Sequence, residues 1–127
     1  MNVSKIERAQ AAPNPTMAQW FEGDVLFQQL AQGGDVELLA VFFELDARTR
    51  PHIHQDDQTL FFAEGEGIVA TEDEVIHTIA GDYVTIPAGV WHWHGAASGR
   101  ATVHVSIKRP GPTNWDVEAK NWATGRR

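Results

Sequence analysis

Short runs of β-forming residues, each ended by a turn signal, fill the chain from Val36 to about Ile107. The longest apolar run is VELLAVFFEL, and later runs such as GIVAT, VIHTIAG, DYVTIPAG and ATVHVSIK are separated by glycine, proline or aspartate. Because helical periodicity is weak in this region and turns recur at close spacing, the pattern predicts an all-β sandwich or barrel. A chain of 127 residues is long enough for one such domain.

The two ends of the chain differ from this central region. Residues 1–16 are polar and contain two prolines, which predicts a flexible N-terminal arm before a single domain over residues 17–127. Near the other end RPGPT interrupts the last strand, and NWDVEAKNW is predicted to form one helical stretch from Asn114. Such a helix would place Trp115 and Trp122 on one face. We expect them to cover the open side of the barrel or a neighbouring subunit, and contact with a ligand is the alternative.

The composition excludes several classes of function. The net charge is −7 and no cluster of basic residues occurs, since Arg126 and Arg127 form only a pair, so we expect no nucleic-acid or membrane partner. The absence of cysteine excludes disulfides, thiolate metal sites and cysteine nucleophiles. The N-terminus lacks the apolar core of a signal peptide, and no apolar stretch reaches the length that spans a bilayer. These features predict a cytoplasmic protein.

Two pairs of histidines stand at the starts of strands. In RPHIHQDDQTLFF, side-chain alternation places His52 and His54 on the same face, about 7 Å apart. If the turn at QDD folds back, Gln58 comes beside this pair. In GDYVTIPAGVWHWHGA, His92 and His94 repeat the arrangement. One such pair is as often part of a polar strand as of a metal site, but two pairs beside turns favour a metal site.

The spacing of these residues resembles the two signature motifs of the cupin superfamily. The match joins HIHQDDQ and Gly65 in one motif (residues 46–65) with Gly81, Pro87, Gly89 and His92 in the other (residues 81–96). The resemblance covers about residues 35–108. It implies a small conical β-barrel of the double-stranded β-helix, or jelly-roll-like, type that binds one divalent metal ion. The residues implied as metal ligands are His52, His54, Gln58 and His92, with Asp57 as the competitor of Gln58.

Three residues depart from the usual cupin pattern. Asp46 replaces a glycine, Ala96 replaces an asparagine, and Gln58 replaces a glutamate. The third departure matters most, because three imidazoles and an amide leave a divalent ion with its full charge. Such an ion polarises a bound group more strongly but is held less tightly. The ligand types suit Mn, Fe, Ni, Co or Zn, and the missing carboxylate favours Lewis-acid chemistry over oxygen activation.

The segments QTL, HWHGA and WFEG also resemble a narrower group, small single-domain cupins that include bacterial hydroxynitrile lyases. The resemblance implies that His104 transfers a proton, and a buried histidine with a backbone partner is the alternative. Alternation places His104 opposite Val103 and Val105, so that it can face the cavity. Lys108 stands where this group has a neutral amide. His94 is interpreted as a residue behind the ligands or on the surface, and His77 as exposed.

The predicted activity is Lewis-acid catalysis on a small oxygen-bearing substrate, with carbon–carbon bond cleavage of the hydroxynitrile-lyase type as the specific hypothesis. The alternatives are a metal-dependent dioxygenase and a cupin that binds a metabolite without turnover. Paired aromatic residues such as Phe42–Phe43 and Phe61–Phe62 must place about half of their side chains outside the barrel. Because these would form an exposed apolar patch, we expect a homodimer.

Overall fold

The computed structural model describes residues 1–124, which contain eleven strands, one 3-10 helix and one short α-helix. The helices are the 3-10 helix Arg8–Gln10 and α1, Pro15–Ala18. The strands are β1 (Phe21–Glu22), β2 (Val25–Ala31), β3 (Glu37–Phe43), β4 (Arg48–Thr49), β5 (Ile53–His54), β6 (Gln58–Thr71), β7 (Val75–Ile79), β8 (Tyr83–Ile86), β9 (His92–Ala96), β10 (Thr102–Lys108) and β11 (Thr113–Asn114). The Arg126–Arg127 pair and the predicted domain end at residue 127 lie outside the described residues.

Strand β6 organises the fold because it is long enough to belong to both halves of the sheet. Its 14 residues pair with β8 and β10 in the first half and with β7 and β9 in the second. The main path runs β1-β4-β9-β6-β10-β3-β2, and all of its neighbouring strands are antiparallel. The result is a nearly closed barrel, so the prediction of an all-β barrel is confirmed.

Two positions of the sequence motifs, Gly65 and Asp46, have backbone conformations that explain their residue types. Gly65 lies in the middle of β6 with φ +75°, and a Cβ atom there would collide with the carbonyl oxygen of Ala101. Glycine is therefore required where β6 passes from one half of the sheet to the other. Asp46, which replaces a glycine, also adopts a left-handed conformation with φ 63°, and its Oδ1 accepts a hydrogen bond from the Gly99 amide at 2.6 Å. The hydrogen bond helps aspartate to tolerate this turn.

Side-chain alternation separates the inside of the barrel from its two outer faces. One inner cluster contains Leu60, Phe62, Val69 and Ile86, and a second contains Val41, Phe43, Ala47 and Ala96. The neighbouring residues along the same strands point outward. Phe42, Val103 and Val105 form one outer cluster, and Ile68, Trp91 and Trp93 form another. Both outer clusters are buried, so further segments must cover them.

The N-terminal segment covers the first outer cluster. Ala12 forms an antiparallel bridge with Phe27 of β2, and the Ser4 hydroxyl donates a hydrogen bond to the Leu30 carbonyl at 2.7 Å. Ile6 and Ala11 pack against the cluster that contains Phe42. Residues 1–16 therefore contribute to packing on the outside of β2 and β3. The predicted boundary at residue 17 and the flexibility of the arm remain predictions.

The C-terminal segment covers the second outer cluster, but the helical stretch predicted from Asn114 is not formed. Thr113 and Asn114 instead pair with β5, and the later residues form turns such as Trp122 N–H to Ala119 O. Trp115 and Trp122 point to different places: Trp122 packs with Trp91 and Trp93, whereas Trp115 stacks on Trp20. The seven-residue spacing of Trp115 and Trp122 predicted one helical face, but the two residues belong to separate packing contacts.

These two terminal segments bury much of the outward aromatic surface that led us to expect a homodimer. Phe42 is 1% exposed and Trp93 is fully buried, although Tyr83 on β8 remains 67% exposed. The homodimer and the cytoplasmic location remain predictions. Within residues 1–124, no helix has the length and apolar character needed to cross a membrane.

Candidate metal centre

Three histidines converge at one end of the barrel interior. The possible ligand atoms of His52, His54 and His92 all lie within 4.8 Å of one another, and all three residues are buried. Backbone pairing sets this geometry, since His52 and His92 exchange two hydrogen bonds, N–H to O, of 2.9 and 3.1 Å. His54 follows on the same face of its strand, as alternation predicted. The structure thus brings together segments 40 residues apart into a cluster that could hold a metal ion.

Backbone carbonyls determine the tautomers of two of these histidines. The Nδ1 atom of His52 lies 2.8 Å from the carbonyl oxygen of Arg50, and that of His92 lies 2.9 Å from the carbonyl oxygen of Val90. A carbonyl oxygen only accepts, so each Nδ1 carries the hydrogen and donates it. Each Nε2 therefore has a free lone pair, which is the form of imidazole that ligates a metal.

The third histidine and the glutamine provide two further possible donor atoms. The Nδ1 atom of His54 lies 3.2 Å from the Thr113 hydroxyl, while its buried Nε2 has no hydrogen-bond partner among the described residues. The amide nitrogen of Gln58 donates to the Ser106 hydroxyl at 2.8 Å, which directs its Oε1 toward the histidines. This oxygen lies 3.3 Å from the Nε2 atom of His92.

The short distance between Gln58 Oε1 and His92 Nε2 indicates that these residues fit a metal. In the tautomer that Val90 selects, neither atom has a hydrogen to share, so two lone pairs face each other in a buried site. A cation shared by both atoms would relieve this arrangement, and three imidazoles with an amide oxygen suit a divalent transition metal. The competitor Asp57 is exposed, and its Oδ1 accepts from the Ala88 amide at 2.9 Å. Gln58, not Asp57, is thus beside the cluster.

Burial keeps these histidines neutral, as metal ligation requires. Desolvation, followed by the charges of neighbouring His92 and Lys108, lowers the pKa of His54 to about 4. Desolvation also lowers the pKa of His92 to about 4 and holds the pKa of His52 well below its usual value. At neutral pH a metal ion would therefore not have to displace protons from these imidazoles.

A second histidine pair lies beside this cluster. His104 Nε2 and His94 Nδ1 are 2.9 Å apart, and the other ring nitrogen of each residue has no partner among the described residues. Desolvation lowers the pKa of His104 to about 3. His104 faces the cavity, opposite Val103 and Val105, as alternation predicted. His94 is 5% exposed, which excludes the surface interpretation, and its i+2 spacing from His92 is the sequence signal for its place.

A cavity of about 80 Å³ opens beside the histidines. Much of its wall is apolar, with Phe27, Leu39, Val41 and Phe43 on one side and Met17 and Trp115 near the end of the barrel. The Trp115 ring lies 4.3 Å from the ring of His52 and stacks on Trp20, with centroids 5.3 Å apart. Trp115 thus lines the cavity, and its contact with a ligand remains a prediction. Sequence reasoning did not identify Thr113, Ser106 or Lys108 as parts of this wall.

His77 lies apart from the site. It is exposed on β7, which pairs with the second half of β6, and among residues 1–124 it is the one histidine that is not buried. This agrees with its interpretation as an exposed residue.

Comparisons with known proteins agree with the geometry. A family model described as a cupin domain matches residues 41–107. An (R)-mandelonitrile lyase from Granulicella tundricola is 34% identical over 126 residues, which cover 96% of this chain and 92% of that protein. An acireductone dioxygenase from a Sulfurihydrogenibium species is 34% identical over 72 residues, but the match spans only 40% of its length.

Solved structures give the same family. A cupin-like protein from Thermotoga maritima superposes with a TM-score of 0.75 at 30% identity, over 87% of this chain and 92% of that chain. An acetylacetone dioxygenase from Acinetobacter johnsonii has a TM-score of 0.73 at 18% identity, which indicates a shared fold alone. The predicted cupin-type barrel and the resemblance to the cupin-type lyases are confirmed. The chain therefore belongs to the cupin family.

Proposed function

We propose that this protein is a metal-dependent lyase that cleaves small hydroxynitriles into a carbonyl compound and hydrogen cyanide. The observation that carries the proposal is the neutral donor set beside a hydrogen-bonded histidine pair in a small, largely apolar cavity. The proposal is also supported by the 34% identity to the (R)-mandelonitrile lyase, in a match that covers 92% of that protein.

The residues that would hold the metal ion are His52, His54, Gln58 and His92. The Nε2 atom of His54 has no hydrogen-bond partner among the described residues, and the Nε2 atom of His92 faces the Gln58 Oε1. A bound divalent ion of Mn, Fe, Ni, Co or Zn would supply electrophilic polarisation of the substrate oxygen or of the leaving group. Because no ligand is anionic, the ion would keep its full charge for this task.

The histidine pair would move the proton. Cleavage of a hydroxynitrile removes the hydroxyl proton, breaks the C–C bond so that its electron pair leaves with cyanide, and forms the carbonyl. His104, which lines the cavity, would accept that proton in concert with His94, because the neutral pair has a free lone pair. The protonated His104 would then return the proton to the released cyanide, which leaves as hydrogen cyanide.

The size of the cavity indicates the size of the substrate. An apolar protein cavity of about 150 Å³ accommodates benzene, whereas this cavity is about 80 Å³. We therefore expect faster turnover of small aliphatic hydroxynitriles than of mandelonitrile.

The test is cyanide release from mandelonitrile and from acetone cyanohydrin by metal-loaded protein, with the metal content measured by elemental analysis. His104→Gln should lower kcat by about 10²- to 10⁴-fold at unchanged metal content. His77→Gln is the matched control, because His77 is exposed on β7, and it should leave the rate unchanged. Absence of cyanide release by the metal-loaded parent would overturn the proposal, and full activity of His104→Gln would overturn the role of that residue.

A dioxygenase is the second candidate, favoured by the local match to acireductone dioxygenases. The donor set lacks the carboxylate found with two histidines in many non-haem iron oxygenases, which argues against it. An oxygen electrode with the iron-loaded protein and a small enediol or diketone separates the two candidates, because only the dioxygenase consumes oxygen.

A further inference from the structure

One wall of the cavity carries a positive charge. Lys108, the last residue of β10, lines the cavity together with His52, His54 and Gln58. Its side chain is 17% exposed, so most of it lies within the protein. Among the described residues that line the cavity it is the one with a formal charge at neutral pH, since the histidines there are neutral. Its charge reaches the cluster and contributes to the lowered pKa of His52 and His54.

The neighbouring groups compensate this charge only in part. Lys108 pairs across the sheet with Glu37 of β3, and its Nζ lies 3.5 Å from the Glu37 carboxylate. The same Nζ donates a hydrogen bond to the Arg109 carbonyl at 3.2 Å. These contacts engage at most two of the three N–H groups of the ammonium. Lys108 lines the cavity, whereas Glu37 does not.

Lys108 would repel a metal ion bound at the histidine cluster unless an anion compensates the two positive charges. The four neutral donors leave a divalent ion uncompensated, and Lys108 adds a further positive charge to the same small cavity. Like charges in a poorly hydrated site repel each other more strongly than they do in water. An anion in the cavity would be attracted by both cations and would remove the conflict.

We propose that the cavity binds a small monoanion between Lys108 and the histidine cluster, and that this anion and the metal ion bind with positive cooperativity. The inference rests on the proposed metal centre. The anion would be either the cyanide released in the proposed reaction or the carboxylate of a small hydroxy-acid substrate. The cavity volume of about 80 Å³ limits it to a few non-hydrogen atoms.

The test compares Mn²⁺ affinity with and without an anion at constant ionic strength. Formate represents a carboxylate, and azide is a linear anion that stands in for cyanide without sequestering the metal. In the wild type, a saturating anion should tighten Mn²⁺ binding by about tenfold. Lys108→Gln should bind Mn²⁺ more tightly than the wild type in the absence of an anion, and should show less than about a twofold effect of either anion.

Two variants serve as controls. Lys108→Arg keeps the charge and should retain the anion effect, whereas Lys120→Gln removes a lysine that pairs with Glu72 elsewhere on the surface and should behave as the wild type. Coupling to formate alone indicates a carboxylate substrate, and coupling to azide alone indicates the released anion. Equal anion effects in the wild type and Lys108→Gln would overturn the inference. If coupling is present but cyanide release is absent, only the proposed lyase activity fails.

Discussion

Acid should destabilise the metal-free protein, because the fold buries histidines in their neutral form. His92 is fully buried, and burial lowers its pKa from 6.5 to about 4. Between these two values the unfolded chain binds more protons than the folded chain at this residue. Stability therefore rises with pH across this window and is lost as the pH falls from 6.5 toward 4.

The magnitude follows from the pKa of His92. Each tenfold change in proton affinity is worth about 1.4 kcal/mol, so complete protonation would cost about 3 kcal/mol of unfolding free energy. About 2 kcal/mol of this should already be lost between pH 7.5 and pH 5. The lowered pKa values of His54 and His104 act in the same direction, so the whole protein should lose more than this. Such a loss is large beside the usual stability of a domain, about 5–15 kcal/mol.

The assay is urea unfolding of chelator-treated protein, followed by tryptophan fluorescence, at several pH values from 7.5 to 5. His92→Gln should make the dependence of unfolding free energy on pH shallower, by up to about 1.4 kcal/mol per pH unit. His77→Gln, which changes an exposed histidine, should leave the dependence as it is. Equal unfolding free energies at pH 7 and pH 5, or a pH dependence that His92→Gln does not alter, would refute the reasoning.

Three further predictions concern metal affinity and the C-terminal segment. Gln58→Glu adds a negative charge to the donor set, and the Ser106 hydroxyl can donate a hydrogen bond to the new carboxylate. The variant should therefore bind metal at least about tenfold more tightly in a competition titration. Unchanged metal affinity would contradict the role of Gln58 as a ligand. Thr113→Val removes the hydroxyl beside His54 Nδ1 and should weaken metal binding by about 10- to 100-fold. Thr113→Ser keeps a hydroxyl and should retain the metal affinity of the wild type. Equal metal affinities for the two variants would argue against an orienting role of this contact. Trp122→Ala truncates a residue that is 8% exposed and should lower the unfolding free energy by about 3–5 kcal/mol. The metal affinity should change little. A loss of less than about 1 kcal/mol in urea unfolding would mean that the C-terminal segment is not needed for packing.

The barrel could be predicted because its signals are local. Strand alternation alone placed His52 and His54 on one face and His104 opposite Val103 and Val105, and the structure has the same arrangement. Turn residues marked the strand ends, and the left-handed conformation of Asp46 agrees with its place in the motif. These features depend on residues that are close together in the chain, so they can be predicted from the amino-acid sequence.

The helical stretch in the C-terminal segment was predicted wrongly because the conformation of this segment depends on distant partners. The sequence NWDVEAKNW is compatible with a helix, yet Thr113 pairs with His54 across 59 residues and Trp122 Nε1 donates to the Thr49 carbonyl across 73. Tertiary contacts of this kind override weak local preference. No local pattern indicates that Trp115 should lie against His52.

The amino-acid sequence by itself determined that short antiparallel strands would carry two histidine pairs with inward and outward faces. Only the tertiary structure decided that His94 meets His104, that Ser106 directs the oxygen of Gln58 toward the cluster, and that Lys108 charges the cavity wall. The physical reason is that alternation is a property of each strand, whereas the register between strands sets which inward side chains come within hydrogen-bonding distance.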